Sequence, residues 1–124
     1  FIGVTMKDTN VVNHDWGKEI IWADYKTHGC KIMLFEKQGG KTPFYFNKTV
    51  EKTWFVNSGI FNIKWVDTKD GKMYQQELKE GSVFHVETLK PCSLECKSAN
   101  GSITEANSGS VDNDVYITLD KAHF

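Results

Sequence analysis

Apolar and polar residues alternate along this chain in short stretches separated by turn residues. From Ile60 to Asp67, Phe61, Ile63 and Trp65 share one parity while Asn62 and Lys64 fall between them, the period of a half-buried strand. Cys92, Leu94 and Cys96 alternate with Ser93, Glu95 and Lys97, and Val83 and His85 alternate with Phe84 and Val86. Lys31 to Lys37 is an apolar run of strand length bounded by Gly29 and by Gly39-Gly40. Further strands are predicted at Ile20–Ala23, Thr42–Asn47, Lys52–Asn57, Ile103–Ala106 and Val115–Leu119, with a more polar edge strand at Met73–Leu78. Residues 1–15 show no clear period. No stretch keeps a helical apolar period over three turns.

Turn residues connect these strands. Lys69-Asp70-Gly71-Lys72 is a hairpin signal, and the Ser58-Gly59 pair predicts another tight hairpin. The stretch from Gly39 to Gly59 reads as the hairpin that organises the rest, with downstream strands as its partners. Short strands at about 8–12-residue spacing predict an all-β sandwich or barrel. With no repeat, linker or composition shift, residues 1–124 are expected to form a single domain.

Composition narrows the function classes. Fifteen basic residues against 16 acidic ones give a net charge of −1, which offers no electrostatic footprint for nucleic acid or an anionic membrane. No apolar run approaches the roughly 18 residues of a membrane-spanning helix. The start lacks the basic end and long apolar stretch of a signal peptide. Three cysteines, Cys30, Cys92 and Cys96, make no disulfide framework, and a cytoplasmic location is expected. Cys92 and Cys96 share one face of a strand about 13 Å apart, too far to bridge.

Two stretches carry the spacing of the cupin signature, written as glycine, five residues, HxH, four residues, Glu, six residues, Gly, and then as a second half ending in His and Asn. Gly39, Tyr45, Asn47, Lys52 and Gly59 fall on the first half without a gap, and Gly81, Glu87, Leu89, Cys92 and Cys96 on the second. Trp16-Gly17-Lys18-Glu19, Trp54-Phe55-Val56, Leu78, Glu105 and Asp114-Val115-Tyr116 add to the likeness. Over residues 16–120 the chain thus resembles the small cupins related to type II mannose-6-phosphate isomerases. The resemblance implies a cupin-type jelly-roll barrel of two antiparallel sheets. By family habit it also implies a homodimer.

In typical cupins three His and one Glu hold a divalent metal inside the barrel, and here those positions are Tyr45, Asn47, Lys52 and Cys92. A phenol, an amide, a cation and one thiol are a poor ligand set, so no metal or other cofactor is expected. His14, His28, His85 and His123 lie away from the motif positions, and isolated histidines are usually surface or core residues.

Strand parity turns Tyr45, Asn47, Lys52, Trp54, Cys92 and Leu94 inward, and with them Phe61, Ile63 and Trp65. The first reading is a metal-free binding module. In it Tyr45, Asn47, Lys52 and Cys92 face a small polar ligand, phosphorylated or carboxylated among the options, and Trp54 or Trp65 stacks on a sugar. The second is an isomerase or epimerase of a sugar phosphate or nucleotide sugar, with Tyr45 and Lys52 as candidate proton-transfer groups. A third is a structural domain whose pocket is closed, with Lys52 snorkelling outward. Cys92 becomes a nucleophile only if Lys52 lowers its pKa.

Overall fold

The computed structural model describes residues 9–109 and 114–119. Eleven strands follow one another: β1 (Asn10–Asn13), β2 (Gly17–Asp24), β3 (Gly29–Phe35), β4 (Phe44–Asn47), β5 (Lys52–Ser58), β6 (Ile60–Val66), β7 (Met73–Lys79), β8 (Val83–Val86), β9 (Cys92–Cys96), β10 (Gly101–Asn107) and β11 (Val115–Leu119). There is no helix among the described residues. The strands form two antiparallel sheets, one in the order β1-β2-β3-β10-β5-β8 and the other β11-β4-β9-β6-β7. The sheets face each other, but no strand pairing among the described residues closes them into the expected barrel.

The predicted Gly39–Gly59 hairpin does not form. β4 pairs with β9 and β11 in one sheet, and β5 pairs with β8 and β10 in the other. Each takes downstream partners, as expected, but not the other. The connection between them crosses the sandwich, held by Asp114, whose Oδ2 accepts from Thr49 N at 2.9 Å and Val50 N at 3.0 Å. Ser58-Gly59 is likewise a crossing from one sheet to the other. Gly59 has φ 88°, and a Cβ there would lie 2.7 Å from the Asn100 carbonyl oxygen, so only glycine fits the crossing. The Lys69–Lys72 hairpin does form, with Val66 opposite Met73, and the polar β7 lies at a sheet edge. Within the stretch without a readable period, residues 10–13 pair as β1 along β2. That strand has largely exposed side chains, so its sequence carries no core-facing pattern.

Inward parity is as the alternation predicts. Trp54, Phe61, Ile63, Cys92, Leu94 and Cys96 are fully buried, and Trp65 packs against the same core. Trp16 stacks on Phe35 at 4.3 Å, and Phe35 meets Phe61 edge-on at 4.9 Å, joining the two sheets at one end. Aromatic pairs at such separations contribute about 0.5–1.5 kcal/mol beyond the area they bury. The other end of the sandwich is less dry, and its charged groups define the candidate site.

Candidate functional site

Register brings polar groups into one layer of the six-stranded sheet. Lys31 on β3 lies opposite Glu105 on β10, and Glu105 lies opposite Trp54 on β5. One step along, Asn107 lies opposite Lys52. All of these side chains share the inward parity, so four polar groups enter a space that apolar residues would otherwise fill.

Glu105 is buried and satisfied from three sides. Its Oε1 accepts from Trp54 Nε1 at 2.9 Å, and its Oε2 accepts from Asn107 Nδ2 at 2.9 Å. Lys31 Nζ stands 3.7 Å from Oε2 and also donates to Glu19 Oε1 on β2. Glu19 Oε2 in turn meets His14 Nε2 at 2.9 Å, and the His14 ring stacks on Trp16 at 4.6 Å. Burial pushes the Glu19 carboxyl up, but Lys31 and His14 together override it and hold the group below its ordinary pKa.

Lys52 is only 3% exposed and does not snorkel outward. Its ammonium donates to Asn47 Oδ1 at 2.8 Å. It also lies 4.0 Å over the Tyr45 ring and 5.1 Å from the Trp54 ring. Asn47 is oriented by its own donor, Nδ2, which bonds the Asp114 carbonyl at 2.9 Å and so leaves Oδ1 for Lys52. Burial pulls the Lys52 pKa down, and the charge of Glu105 offsets part of that. Two π faces supply the attraction that water would otherwise give.

On the opposing sheet Tyr45 lies across from Cys92, and Cys92 across from Trp65. Burial pushes the Tyr45 phenol well above its usual pKa. It also drives the Cys92 thiol up to about 11, outweighing the opposite pull of Lys52. The condition for a nucleophilic Cys92 is therefore not met.

A cavity of about 340 Å³ opens beside this layer. Its polar lining includes His14, Glu19, Lys31 and Tyr45, with Asp24 and Asn107. Val12, Ile21, Met33, Val115 and Ile117 are among its apolar residues. The Tyr45 hydroxyl has no hydrogen-bond partner among the described residues, and none of their side-chain polar atoms is both buried and unpartnered. Tyr45 is itself one of the residues that line the cavity.

Of the six residues expected to bind ligand, Tyr45, Asn47, Lys52 and Trp54 come together, with Cys92 and Trp65 alongside in register. Only Tyr45 lines the cavity. Trp54 is fully buried with its N–H committed to Glu105, and Trp65 is stacked against Tyr74 at 5.8 Å and tilted on Phe84 at 5.3 Å. Sequence reasoning passed over Glu19, Lys31 and Glu105 as site residues. A signal for two of them exists: Lys31 shares parity with Met33 and Phe35, and Glu105 with Ile103, so each interrupts an apolar face. His85 is peripheral, with Nδ1 2.9 Å from Thr53 Oγ1 and Nε2 3.7 Å from Glu51. His123 lies outside the described residues.

The donor set does not fit the divalent metal that the cupin resemblance implies. The Lys52 ammonium already holds Asn47 Oδ1, and a double charge about 4 Å from it is opposed by roughly 8 kcal/mol at an effective dielectric of about 20. Tyr45 and Cys92 are both pushed toward their protonated forms, whereas metal binding needs deprotonated ligands. No group of three or more His, Cys, Asp or Glu is placed to hold a metal among the described residues.

Neither a protein-family model nor a curated protein sequence matches the chain. Solved structures share its fold. Capsular polysaccharide assembling protein CapF from Staphylococcus aureus aligns with a TM-score of 0.78 at 12% identity, over 92% of this chain and 35% of that one. Oxalate decarboxylase from Bacillus subtilis aligns with a TM-score of 0.79 at 14% identity, over 89% and 30%. Both are cupin-fold proteins, and the two-sheet, all-β architecture described here is the cupin fold. The chain spans about a third of the length of these solved chains.

Proposed function

We propose that this domain is a cupin-fold binding module that takes a small polar molecule, of the sugar class, in the cavity beside Tyr45, and does so without a metal. The observation that carries the reading is the cavity itself. A volume of about 340 Å³ falls at the lower end of typical ligand sites, roughly 300–1,000 Å³. Its lining joins an apolar wall to a few fixed polar groups, the usual make-up of a small-molecule site. Lys31 and Glu19 are locked by each other and by Glu105 and His14, so they present a preset surface. Tyr45, kept as a neutral phenol, offers a hydroxyl that no described protein group uses. The likeness of the motif stretches to sugar-phosphate isomerase cupins supports the sugar class.

The Lys52 cradle is a supporting wall in this reading. Its ammonium lies over one face of Tyr45 and fixes the ring that borders the ligand. The test is a thermal-shift screen with sugars and sugar phosphates, repeated on Ala23→Phe. Ala23 is buried and lines the cavity, so the larger side chain fills it. A ligand that raises the melting temperature of the parent protein and not of Ala23→Phe supports the reading. No shift with any member of the set overturns it, and so does one tightly held zinc or manganese ion per chain in the purified protein.

A further inference from the structure

The cavity also discriminates by charge, and this step rests on its being a ligand site. Two carboxylates line it, Glu19 and Asp24, against one ammonium, Lys31, and the imidazole of His14, which is itself held by Glu19 Oε2 at 2.9 Å. That ammonium is committed, donating to Glu19 and standing 3.7 Å from Glu105. The second interior cation, Lys52, is not among the lining residues; it is buried against Tyr45, Trp54 and Asn47. Among the described residues, an incoming phosphate or carboxylate thus meets two carboxylates and only basic groups that already serve Glu19. To be bound it must draw Lys31 or His14 from Glu19 and leave that half-buried carboxylate short of a partner, which is the costly way to break such a pair.

A neutral ligand meets no such opposition. Glu19 and Asp24 accept hydrogen bonds from hydroxyl groups, and the Tyr45 hydroxyl donates or accepts one more. Val12, Ile21, Met33, Val115 and Ile117 supply an apolar wall that a charged group cannot use. We infer that the cavity takes an uncharged, hydroxyl-bearing molecule with an apolar face, of the neutral glycoside type, and rejects its phosphorylated or carboxylated counterparts.

The experiment titrates the 124-residue chain with phenyl glycosides of the common hexoses and with the same glycosides carrying a 6-phosphate, followed by heteronuclear NMR and calorimetry. At least one neutral glycoside is expected to shift the signals of Tyr45, Glu19 and Lys31, and its phosphate to bind about tenfold or more weakly. Tyr45→Phe is expected to weaken the neutral ligand about tenfold with little change in melting temperature, since that hydroxyl has no described protein partner. A phosphorylated glycoside that binds these residues as tightly as its neutral parent overturns the inference while leaving the cavity a ligand site. If no member of either series perturbs them, both readings fall together.

Discussion

The ammonium of Lys52 lies 4.0 Å over the ring of Tyr45, so the group that borders the cavity is braced from behind by a buried cation. The arrangement has a pH signature. Burial lowers the Lys52 pKa in the folded protein, whereas the unfolded chain keeps the ordinary value of 10.5. Between the lowered value and 10.5 the unfolded state binds more protons, so the Lys52 contribution to stability rises with pH across that window. Lys52→Met lacks this rise. Urea melts of the two proteins at increasing pH up to 10.5 are expected to show a stability difference that grows in favour of the parent. A difference that stays constant with pH would mean that Lys52 titrates as it does in water.

Cys92 gives the opposite slope. Its folded pKa is raised, from 9.0 to about 11, chiefly by burial. Below pH 9.0 the thiol is protonated in both states and its contribution is complete; it is lost as the pH climbs through about 11. A displacement of this size corresponds to about 2–3 kcal/mol. Cys92→Ala is expected to cost stability at neutral pH through the lost packing, and to lose less than the parent between pH 9.0 and about 11. Parallel curves for the two proteins would contradict a buried, protonated thiol.

The buried carboxylate at the centre of the layer sets a third expectation. Glu105 serves two donors, Trp54 Nε1 and Asn107 Nδ2, with one oxygen each. Glu105→Gln keeps the shape but turns one of those oxygens into a donor facing a donor, and takes from Lys31 one of its two carboxylates. A loss of about 3 kcal/mol is expected, the scale of breaking a buried ion pair. Chemical denaturation measures it, and a loss within about 0.5 kcal/mol, as surface substitutions give, would show that Glu105 is not held as described.

These contacts show how far the sequence reads. Alternation was enough to turn Tyr45, Lys52, Trp54, Cys92 and Ile63 inward, because side-chain direction in a strand depends only on parity. It was not enough to decide which sheet a strand joins. β4 and β5 look like the arms of a hairpin in the sequence, but the connection between them crosses the sandwich, and that choice rests on long-range contacts such as Asp114 with Thr49 and Val50. Glu19, Lys31 and Glu105 escaped notice for a related reason. Lys31 and Glu105 show in the sequence as charges on apolar faces, but only cross-strand register puts them beside each other and beside Glu19. The cavity was also beyond reach, since its lining comes from six strands and the loops between them.

One backbone position departs from the signature in a way that can be measured. Leu89 stands where the second half of the cupin pattern has a glycine, and it is the single non-glycine residue with positive φ among those described, at 61°. The conformation is held because its N–H donates to the Asn47 carbonyl at 2.7 Å, tying this turn to the strand that carries Tyr45. A left-handed conformation costs an ordinary L-residue roughly 1–2 kcal/mol, whereas glycine adopts it freely. Half of the Leu89 side chain is exposed, so little packing is lost on removing it. Glycine is penalised in turn by about 0.5–1 kcal/mol through its more flexible unfolded chain. Leu89→Gly is therefore expected to stabilise the protein by up to about 1 kcal/mol in chemical denaturation. A loss of stability would mean that the Leu89 side chain contributes more to the fold than its exposure indicates, with the strained turn kept for that contact.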